Sequence, residues 1–224
     1  MGQPVAVFKS YADLRGAIAA GRIPRRTHWV LYDNERWPAT PVREQKRPGQ
    51  FETLFASLAH RHGYRVILAP GQDLALGFSR THFARNIAAW RRYLSLGLPA
   101  ISARLADIYE IQAQPFELPV YRHQRIFLAD VQEAVTQARV ANPHATIFAG
   151  ISTQRVARAS DLFSDFMAVR GLVAGFWLNL PHYRGVRQQR FARQFLSQIP
   201  GAAAATGRTC ARYVLVPPAG PARP

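Results

Sequence analysis

Short runs of β-favouring residues alternate with amphipathic helical segments along almost the whole chain, and this alternation constrains the fold more than any other feature. The pattern predicts strands at 5–8, 28–32, 64–69, 107–112, 145–150, 172–178 and 212–216. It predicts helices at 11–20, 48–62, 83–96, 118–141, 160–170 and 186–196. Ser10 is placed to cap the first helix. Alternation at this spacing is typical of parallel strands joined by right-handed crossovers, so we predict an α/β fold.

Two architectures fit this alternation, a doubly wound open sheet and a (β/α) barrel. The chain contains neither GxGxxG nor GxxxxGK[ST] after its first strand, which disfavours a nucleotide-binding open sheet. Polar residues also cluster at the carboxyl ends of several predicted strands, where barrels build their sites. We therefore predict a compact or incomplete (β/α) TIM-like barrel of six to eight parallel strands. It is predicted to form one domain over residues 1–216, followed by a disordered tail at 217–224.

The chain is strongly basic, because 29 lysines and arginines stand against 13 acids and give a formal charge of +16. One interpretation is a negatively charged partner, such as nucleic acid, an anionic membrane surface or a phosphorylated substrate. The other is a compositional bias towards arginine. We favour the bias, because the arginines are scattered singly or in pairs without a dense basic tract or a nucleic-acid motif. Nucleic acid is therefore not an expected partner.

Simple counts exclude several classes of protein. A single cysteine, Cys210, excludes an internal disulfide framework and a multi-cysteine zinc site. No run of 18 apolar residues occurs, so no membrane-spanning helix is predicted. The apolar run near the N-terminus is too short for a signal peptide, and we expect a cytoplasmic location. None of these counts predicts the oligomeric state.

Four acidic residues lie at or just beyond the predicted carboxyl ends of strands, where a barrel builds its catalytic face: Asp33, Glu35, Asp73 and Glu110. The acids that fall in predicted helices, among them Glu52, Asp130 and Asp165, are interpreted as solvent-facing or capping groups. Glu44 and Glu117 are placed in loops. The four acids at strand ends are therefore the candidate catalytic and binding carboxylates.

Asp33 and Glu35 are separated by one residue, so in extended chain both side chains project from the same face. Two carboxylates this close repel each other, and one is expected to have the raised pKa that a general acid requires. Trp37 follows on the same loop and offers a ring on which a sugar can stack. In the alternative interpretation, Asp33 pairs with an arginine and Glu35 caps the loop.

Glu110, Gln112 and Gln114 form a second candidate group on one face of the strand at 107–112. The helix-facing side of a barrel strand is apolar, so these polar side chains are expected to point into the barrel. Buried amides need hydrogen-bond partners, which are either the hydroxyls of a substrate or polar groups of neighbouring strands.

Three further residues are candidates for substrate binding. Thr153 follows the fifth predicted strand, and Trp177 and Asn179 end the sixth. An aromatic ring beside amides and carboxylates is the usual composition of a carbohydrate site. Taken singly, each tryptophan is equally consistent with a core position.

Metal and nucleophile motifs are absent from the sequence. The histidines form no HxH or HExxH pair at a strand end, so zinc is not predicted, and no GxSxG elbow occurs. No metal or cofactor is assigned. Mg²⁺ held by Asp33, Glu35 or Glu110 is left as an alternative, because carboxylates and waters suffice to bind it.

Six segments follow one another along the chain: SYADLRGAIAAGRIP, VLYDNERWPATPVREQKRP, HGYRVILAPGQDL, DIYEIQAQ, ANPHATIFAGIST and GFWLNLP. Together they resemble a group of largely uncharacterised actinobacterial barrel-like proteins. The resemblance covers nearly the whole chain and implies a TIM-barrel layout similar to that of glycoside hydrolases. It implies no catalytic residue, because the group brings no catalytic assignment.

The first functional hypothesis is a glycoside-hydrolase-like enzyme with paired carboxylates at the barrel mouth. Glu35 would be its general acid or base, and Glu110 or Asp33 the partner carboxylate. Asp73 and the amides, hydroxyl and tryptophans named above would bind the carbohydrate.

Two other functions remain open. One is a cytoplasmic lyase, cyclase or transferase of specialised metabolism that acts on a phosphorylated or otherwise anionic small molecule, with or without Mg²⁺. In that enzyme Arg36, Arg80 or Arg155 would clamp the anion. The other is a non-catalytic binding module that uses the arginine-rich exterior.

Overall fold

The computed structural model describes residues 3–74, 83–118, 125–154, 158–180, 185–199 and 213–215. Its strands are β1 (Val5–Phe8), β2 (Trp29–Tyr32), β3 (Arg65–Leu68), β4 (Ile108–Ile111), β5 (Ile147–Ser152), β6 (Gly175–Asn179) and β7 (Tyr213–Leu215). Its helices are α1 (Tyr11–Ala19), α2 (Val42–Lys46), α3 (Pro48–Arg61), α4 (Phe83–Ser95), α5 (Leu98–Leu105), α6 (Ile126–Ala141), α7 (Ala159–Val169) and α8 (Gly185–Ser197). Among the described residues, no helix has the length and apolar character needed to cross a membrane.

The seven strands form one sheet in the order β6-β5-β4-β3-β2-β1-β7. Parallel pairing joins β1 to β2 and β7, β2 to β3, β3 to β4, and β5 to β6. A doubly wound sheet reverses its winding at a switch point, whereas here consecutive strands are neighbours and the last strand returns to the first. Within the described ranges β6 and β7 end the order without pairing to each other. The predicted α/β class and the incomplete (β/α) TIM-like barrel are therefore confirmed.

The chain divides into two compact units. The N-terminal unit comprises residues 2–109, 137–145 and 211–224, and the C-terminal unit comprises residues 110–136 and 146–210. The single domain over 1–216 stays a prediction, and the tail at 217–224 lies outside the described residues.

The core of the N-terminal unit packs one face of β1 and β2 against α1 and α3. Phe8, Leu14, Tyr32 and Phe55 are fully buried in it, and the Tyr32 ring stacks on Phe55 with 4.5 Å between ring centroids. Phe8 and Tyr32 are partners in the register and end their strands together. The amide of Asp33 continues the ladder by donating to the Phe8 carbonyl at 2.9 Å. The residues that follow β1 and β2 therefore leave the sheet side by side.

Several boundaries follow the predicted pattern and others shift. Ser10 caps α1 as predicted, since its Oγ accepts from the Asp13 amide at 3.0 Å. Leu98–Leu105 forms a helix that the pattern does not predict, entered through Gly97 with a φ of 65°. β5 lies two residues later than the predicted strand at 145–150. α6 begins at Ile126 rather than at residue 118, and residues 119–124 lie outside the described part.

The interpretation of Glu52, Asp130 and Asp165 as solvent-facing or capping groups is wrong, because all three are buried. Glu52 on α3 accepts a hydrogen bond from Ser102 Oγ on α5 at 2.7 Å. Burial raises the pKa of Glu52 to about 8, and the Ser102 hydroxyl partly opposes this by lowering it. The partner of Glu52 lies 50 residues along the chain, so local sequence spacing could not reveal the contact.

Glu52→Gln is expected to make the protein increasingly more stable than the native chain as the pH rises. The native state keeps the Glu52 proton up to a pKa of about 8, whereas the unfolded chain loses it near the ordinary value of 4.5. Unfolding therefore releases a proton in this window, and the free energy of unfolding falls as the pH rises. Glutamine carries no such proton, so between about pH 5 and pH 8 the variant should gain on the order of 3 kcal/mol over the native chain.

Urea unfolding of both proteins across that pH range measures this difference. Glu133→Gln is the matched control, because Glu133 is exposed on α6. Parallel stability curves for the native chain and Glu52→Gln would contradict the expected burial of a protonated Glu52.

Candidate functional site

Acidic side chains gather at the carboxyl ends of β2 and β3 in the N-terminal unit. Asp33 and Glu35 follow β2, and Asp73 lies in a short 3₁₀ helix after β3. Gly71 lies against two of them: a Cβ added there would be 2.8 Å from Glu35 Cγ and 2.7 Å from Asp73 Oδ1. The Arg36 amide also donates to Asp73 Oδ1 at 3.1 Å. The structure thus brings together Asp33, Glu35 and Asp73. Gly71 leaves room for the side chains of Glu35 and Asp73 because it has no side chain of its own.

Lys9 forms an ion pair with Asp33, and its Nζ lies 4.0 Å from the centroid of the Trp37 ring. The ring is fixed in turn, because Trp37 Nε1 donates to Thr40 Oγ1 at 2.9 Å and Thr40 Oγ1 donates to the Lys9 carbonyl at 2.8 Å. A closed loop of contacts therefore ties the acid cluster to the half-buried tryptophan.

Glu35 has the most perturbed carboxyl of this group. Its pKa is raised from 4.5 to about 9, mainly by burial and also by the negative charges of Asp33 and Asp73. Lys9 lowers it, and a side-chain hydrogen bond to Asp33 raises it by favouring the protonated form. Burial also raises the pKa of Asp73, against the hydrogen bond from Arg36. We therefore expect Glu35 to hold its proton at neutral pH.

Sequence reasoning missed Lys9 and Asn34 at this site. Lys9 directly follows β1, and the rule that selects residues after strand ends applies to it as it does to Asp33. Asn34 is fully buried, and neither its Nδ2 nor its Oδ1 has a hydrogen-bond partner in the part of the chain that the structure describes. Its carbonyl accepts from the Gly71 amide at 2.8 Å. No sequence signal distinguishes Asn34 from an ordinary loop residue.

Glu44 is the other carboxylate of this segment, and it is a structural group rather than an open loop residue. It is buried on α2 and accepts from the Tyr11 amide at 2.8 Å and from the Tyr32 hydroxyl at 2.6 Å. Burial and the negative charge of Glu44 raise the pKa of Tyr32 far above its ordinary range. Glu44 therefore joins α2 to the start of α1 and to β2.

The second candidate group lies in the C-terminal unit around Gly150 of β5. Gln114 Nε2 donates to Glu110 Oε1 at 3.4 Å, and both side chains lie over Gly150, where a Cβ would meet Gln114 Cδ at 2.7 Å. Trp177 is the register partner of Gly150. Paired residues of parallel strands project from the same face, so Trp177 stands on the face of the sheet that carries Glu110 and Gln114.

The ends of β5 and β6 add polar groups to this unit. Thr153 is buried, and its amide donates to the Asn179 carbonyl at 3.3 Å, while the Asn179 side chain is exposed. Glu117 is fully buried and accepts from the Ser152 amide at 3.0 and 2.9 Å through its two oxygens. Its placement as a simple loop residue therefore misses a carboxylate that fixes the end of β5.

Gln112 is half-buried and follows the end of β4 at Ile111. The chain turns there, with the Ala113 amide donating to the Ile111 carbonyl at 2.8 Å. A turn, rather than the strand alternation that the sequence predicts, therefore brings Gln114 back to Glu110.

The predicted site residues thus form two groups. Asp33, Glu35, Trp37 and Asp73 lie in the N-terminal unit, whereas the other six lie in the C-terminal unit: Glu110, Gln112, Gln114, Thr153, Trp177 and Asn179. Their convergence on one mouth and their roles in binding or catalysis stay predictions. Arg36 is exposed, and Arg80 and Arg155 lie outside the described residues. Across those described ranges, no three acidic, histidine or cysteine side chains are grouped so as to hold a metal ion.

Gly150→Ala is expected to displace the Glu110–Gln114 pair and to lower the free energy of unfolding by about 1–3 kcal/mol. The added methyl group overlaps both side chains, and inserting a methyl into a packed site typically costs this much. Gly171→Ala in the same unit is the matched control, because a Cβ there meets nothing within 4 Å. Chemical denaturation measures both, and equal stabilities of the two variants would contradict the packing of Glu110 and Gln114 over Gly150.

Comparisons with known proteins give a structural likeness and no match in sequence. No family model and no curated protein matches the chain. Among solved structures, the chain is similar to a mutant of catalytic domain 2 of the Ostrinia furnacalis Group II chitinase, in complex with penta-N-acetylchitooctaose, with a TM-score of 0.43 and 14% identity. The match covers 79% of this chain and 50% of that chain, so this chain spans half the length of the chitinase domain. The likeness is to part of a catalytic barrel at low sequence identity.

Proposed function

We propose that this chain is a glycoside-hydrolase-like enzyme in which Glu35 is the general acid. The observation that carries the proposal is the acid cluster at the ends of β2 and β3, in which Glu35 and Asp73 lie against Gly71 and Lys9 pairs with Asp33. A carboxyl whose pKa is raised by such surroundings is the kind of group that can protonate a glycosidic oxygen. The half-buried ring of Trp37, held at the same cluster, offers a flat apolar face to a sugar.

The ion pair between Asp33 and Lys9 limits what Asp33 can do. The two carboxyl groups lie about 5 Å apart in retaining glycosidases and about 6.5–9.5 Å apart in inverting ones. Asp33 is already neutralised by its ion pair with Lys9, which makes it a poor nucleophile or base. We therefore assign Asp33 to tuning the Glu35 carboxyl rather than to the role of partner carboxylate.

The group in the C-terminal unit supplies the chemistry for holding a carbohydrate. Glu110 is buried with Gln114 as its neighbour, and Trp177 stands on the same sheet face. Under the proposal, the amides of Gln112, Gln114 and Asn179 and the hydroxyl of Thr153 bind sugar hydroxyls. Under the same proposal, Asp73 binds sugar hydroxyls in the N-terminal unit, beside Glu35.

A thermal-shift screen tests the proposal with purified protein and a panel of neutral oligosaccharides, acidic oligosaccharides and sugar phosphates, the last with and without Mg²⁺. We expect an oligosaccharide to raise the melting temperature, because a ligand that binds only the native state stabilises it by mass action. The stabilising sugar is then expected to be cleaved, which is measured as new reducing ends. Stabilisation by phosphorylated ligands alone, with no sugar cleaved, would contradict the proposal and favour a lyase, cyclase or transferase.

A further inference from the structure

The helix α2 and the residue that follows it carry a cluster of cations on a surface cavity of the N-terminal unit. The cavity has a volume of about 450 Å³ and is lined by Val42, Arg43, Lys46 and Arg47. All four lining residues are exposed. A volume of this size is within the range of small-ligand pockets, about 300–1,000 Å³. Three of its four lining side chains are positively charged, so the cavity is built for a negatively charged ligand.

The remaining polar side chains of α2 hold the helix in place. Glu44 is 3% exposed and is bonded to the Tyr11 amide and the Tyr32 hydroxyl. Gln45 Nε2 donates to the Trp37 carbonyl at 2.9 Å and to the Thr40 carbonyl at 2.6 Å. The acid of α2 is thus engaged in the interior, and the cations stand on a helix that is fixed from two sides.

The three cations line one cavity and have no acidic partner among the residues that the structure describes. Arg43 and Lys46 are three residues apart on α2, and Arg47 follows the helix directly. All three line the same cavity, where like charges repel. Arg43 lies over the Phe51 ring, 5.2 Å from its centroid. Within the described ranges, none of the ion pairs involves these three side chains. An anion in the cavity would relieve their mutual repulsion.

We propose that this cavity binds the sulfate or carboxylate group of an acidic carbohydrate. The choice of a carbohydrate rests on the proposed function, because Gln45 links α2 directly to Trp37, the ring assigned to a sugar. Single-stranded nucleic acid binds at sites where its bases stack on aromatic side chains. None of the four residues that line this cavity is aromatic, so the cavity is unlike such a site. The enzyme would therefore select acidic sugar chains, with the cavity holding an anionic group of the chain.

Equilibrium binding of a fluorescent heparin hexasaccharide tests this inference, with the full chain at fixed ionic strength. The site variant combines Arg43→Gln, Lys46→Gln and Arg47→Gln. The control variant combines Arg25→Gln, Arg26→Gln and Arg61→Gln, which removes the same charge from exposed positions in the same unit. We expect the site variant to bind at least tenfold more weakly than the native chain and the control variant to lose less than threefold.

Binding of two further ligands distinguishes a failure of this inference from a failure of the proposed hydrolase. An uncharged maltohexaose and a single-stranded oligonucleotide are measured with the same proteins. Equal losses in the two variants, or a site variant that loses the oligonucleotide but not heparin, would overturn the inference. Heparin binding that depends on the three cations, in a protein that cleaves no sugar, would support the inference and contradict the proposed hydrolase.

Discussion

Glu44→Ala is expected to lower the free energy of unfolding by about 3–5 kcal/mol, as breaking a buried charged network does. The substitution removes the acceptor for the Tyr32 hydroxyl and the Tyr11 amide. Tyr32 is fully buried and stacked on Phe55, so its hydroxyl cannot turn to water. For a domain of this size, the loss corresponds to a fall in melting temperature of roughly 10 °C. Thermal and urea unfolding measure both quantities.

Tyr32→Phe is the matched control for Glu44. It removes only the hydroxyl and leaves Glu44 with its backbone donors, so a smaller loss of about 1–2 kcal/mol is expected. In the double variant, no hydroxyl is left unpaired. The double variant should therefore be more stable than the sum of the two single effects predicts. Full additivity of the two substitutions would contradict the buried contact between Glu44 and Tyr32.

Glu35→Gln is expected to lower turnover of the cleaved sugar by about 10²- to 10⁴-fold, the usual contribution of a general acid. Glutamine keeps the shape of the side chain but has no acidic proton to give to the leaving oxygen. Sugar binding, measured by the melting-temperature shift, should remain. The control is Glu133→Gln, at an exposed position on α6. This variant should cleave the sugar at the native rate.

Asp33→Asn tests the protonation of Glu35 in a second way. The charge of Asp33 and its hydrogen bond both raise the pKa of Glu35, so the variant should lower that pKa. An enzyme that needs a protonated Glu35 loses activity above this pKa, and the basic limb of the rate profile should move to lower pH. An unchanged basic limb in Asp33→Asn would contradict the coupling of these two carboxyls.

The fold was predictable because it depends on local patterns. The strand runs are compact and apolar, and turns or helices separate them, so β1 to β4 fall within a residue of the predicted bounds. The position of Asp33 and Glu35 after β2, and of Asp73 after β3, also identified the acids that the structure groups at the ends of these strands. The same rule, applied to cations, would have found Lys9 after β1.

Buried carboxylates were not predictable, because their partners are distant in sequence. Glu44 meets an amide 33 residues away, and Glu117 meets one 35 residues away. A short helix such as α5, entered through Gly97 and Pro99, gives little periodic signal. The two-residue shift of β5 matters for the site, because it sets Gly150 inside the strand, under Glu110 and opposite Trp177.

The central claim is that Glu35 holds its proton at neutral pH, and carboxyl carbon NMR measures this directly. The Glu35 resonance is identified as the one missing from Glu35→Gln, and its shift is followed from acid to alkaline pH. The midpoint is expected near a pKa of about 9 in the native chain, and at a lower pH in Asp33→Asn. A midpoint at the ordinary value of 4.5 in the native chain would contradict the account, because Glu35 would then have no proton to donate.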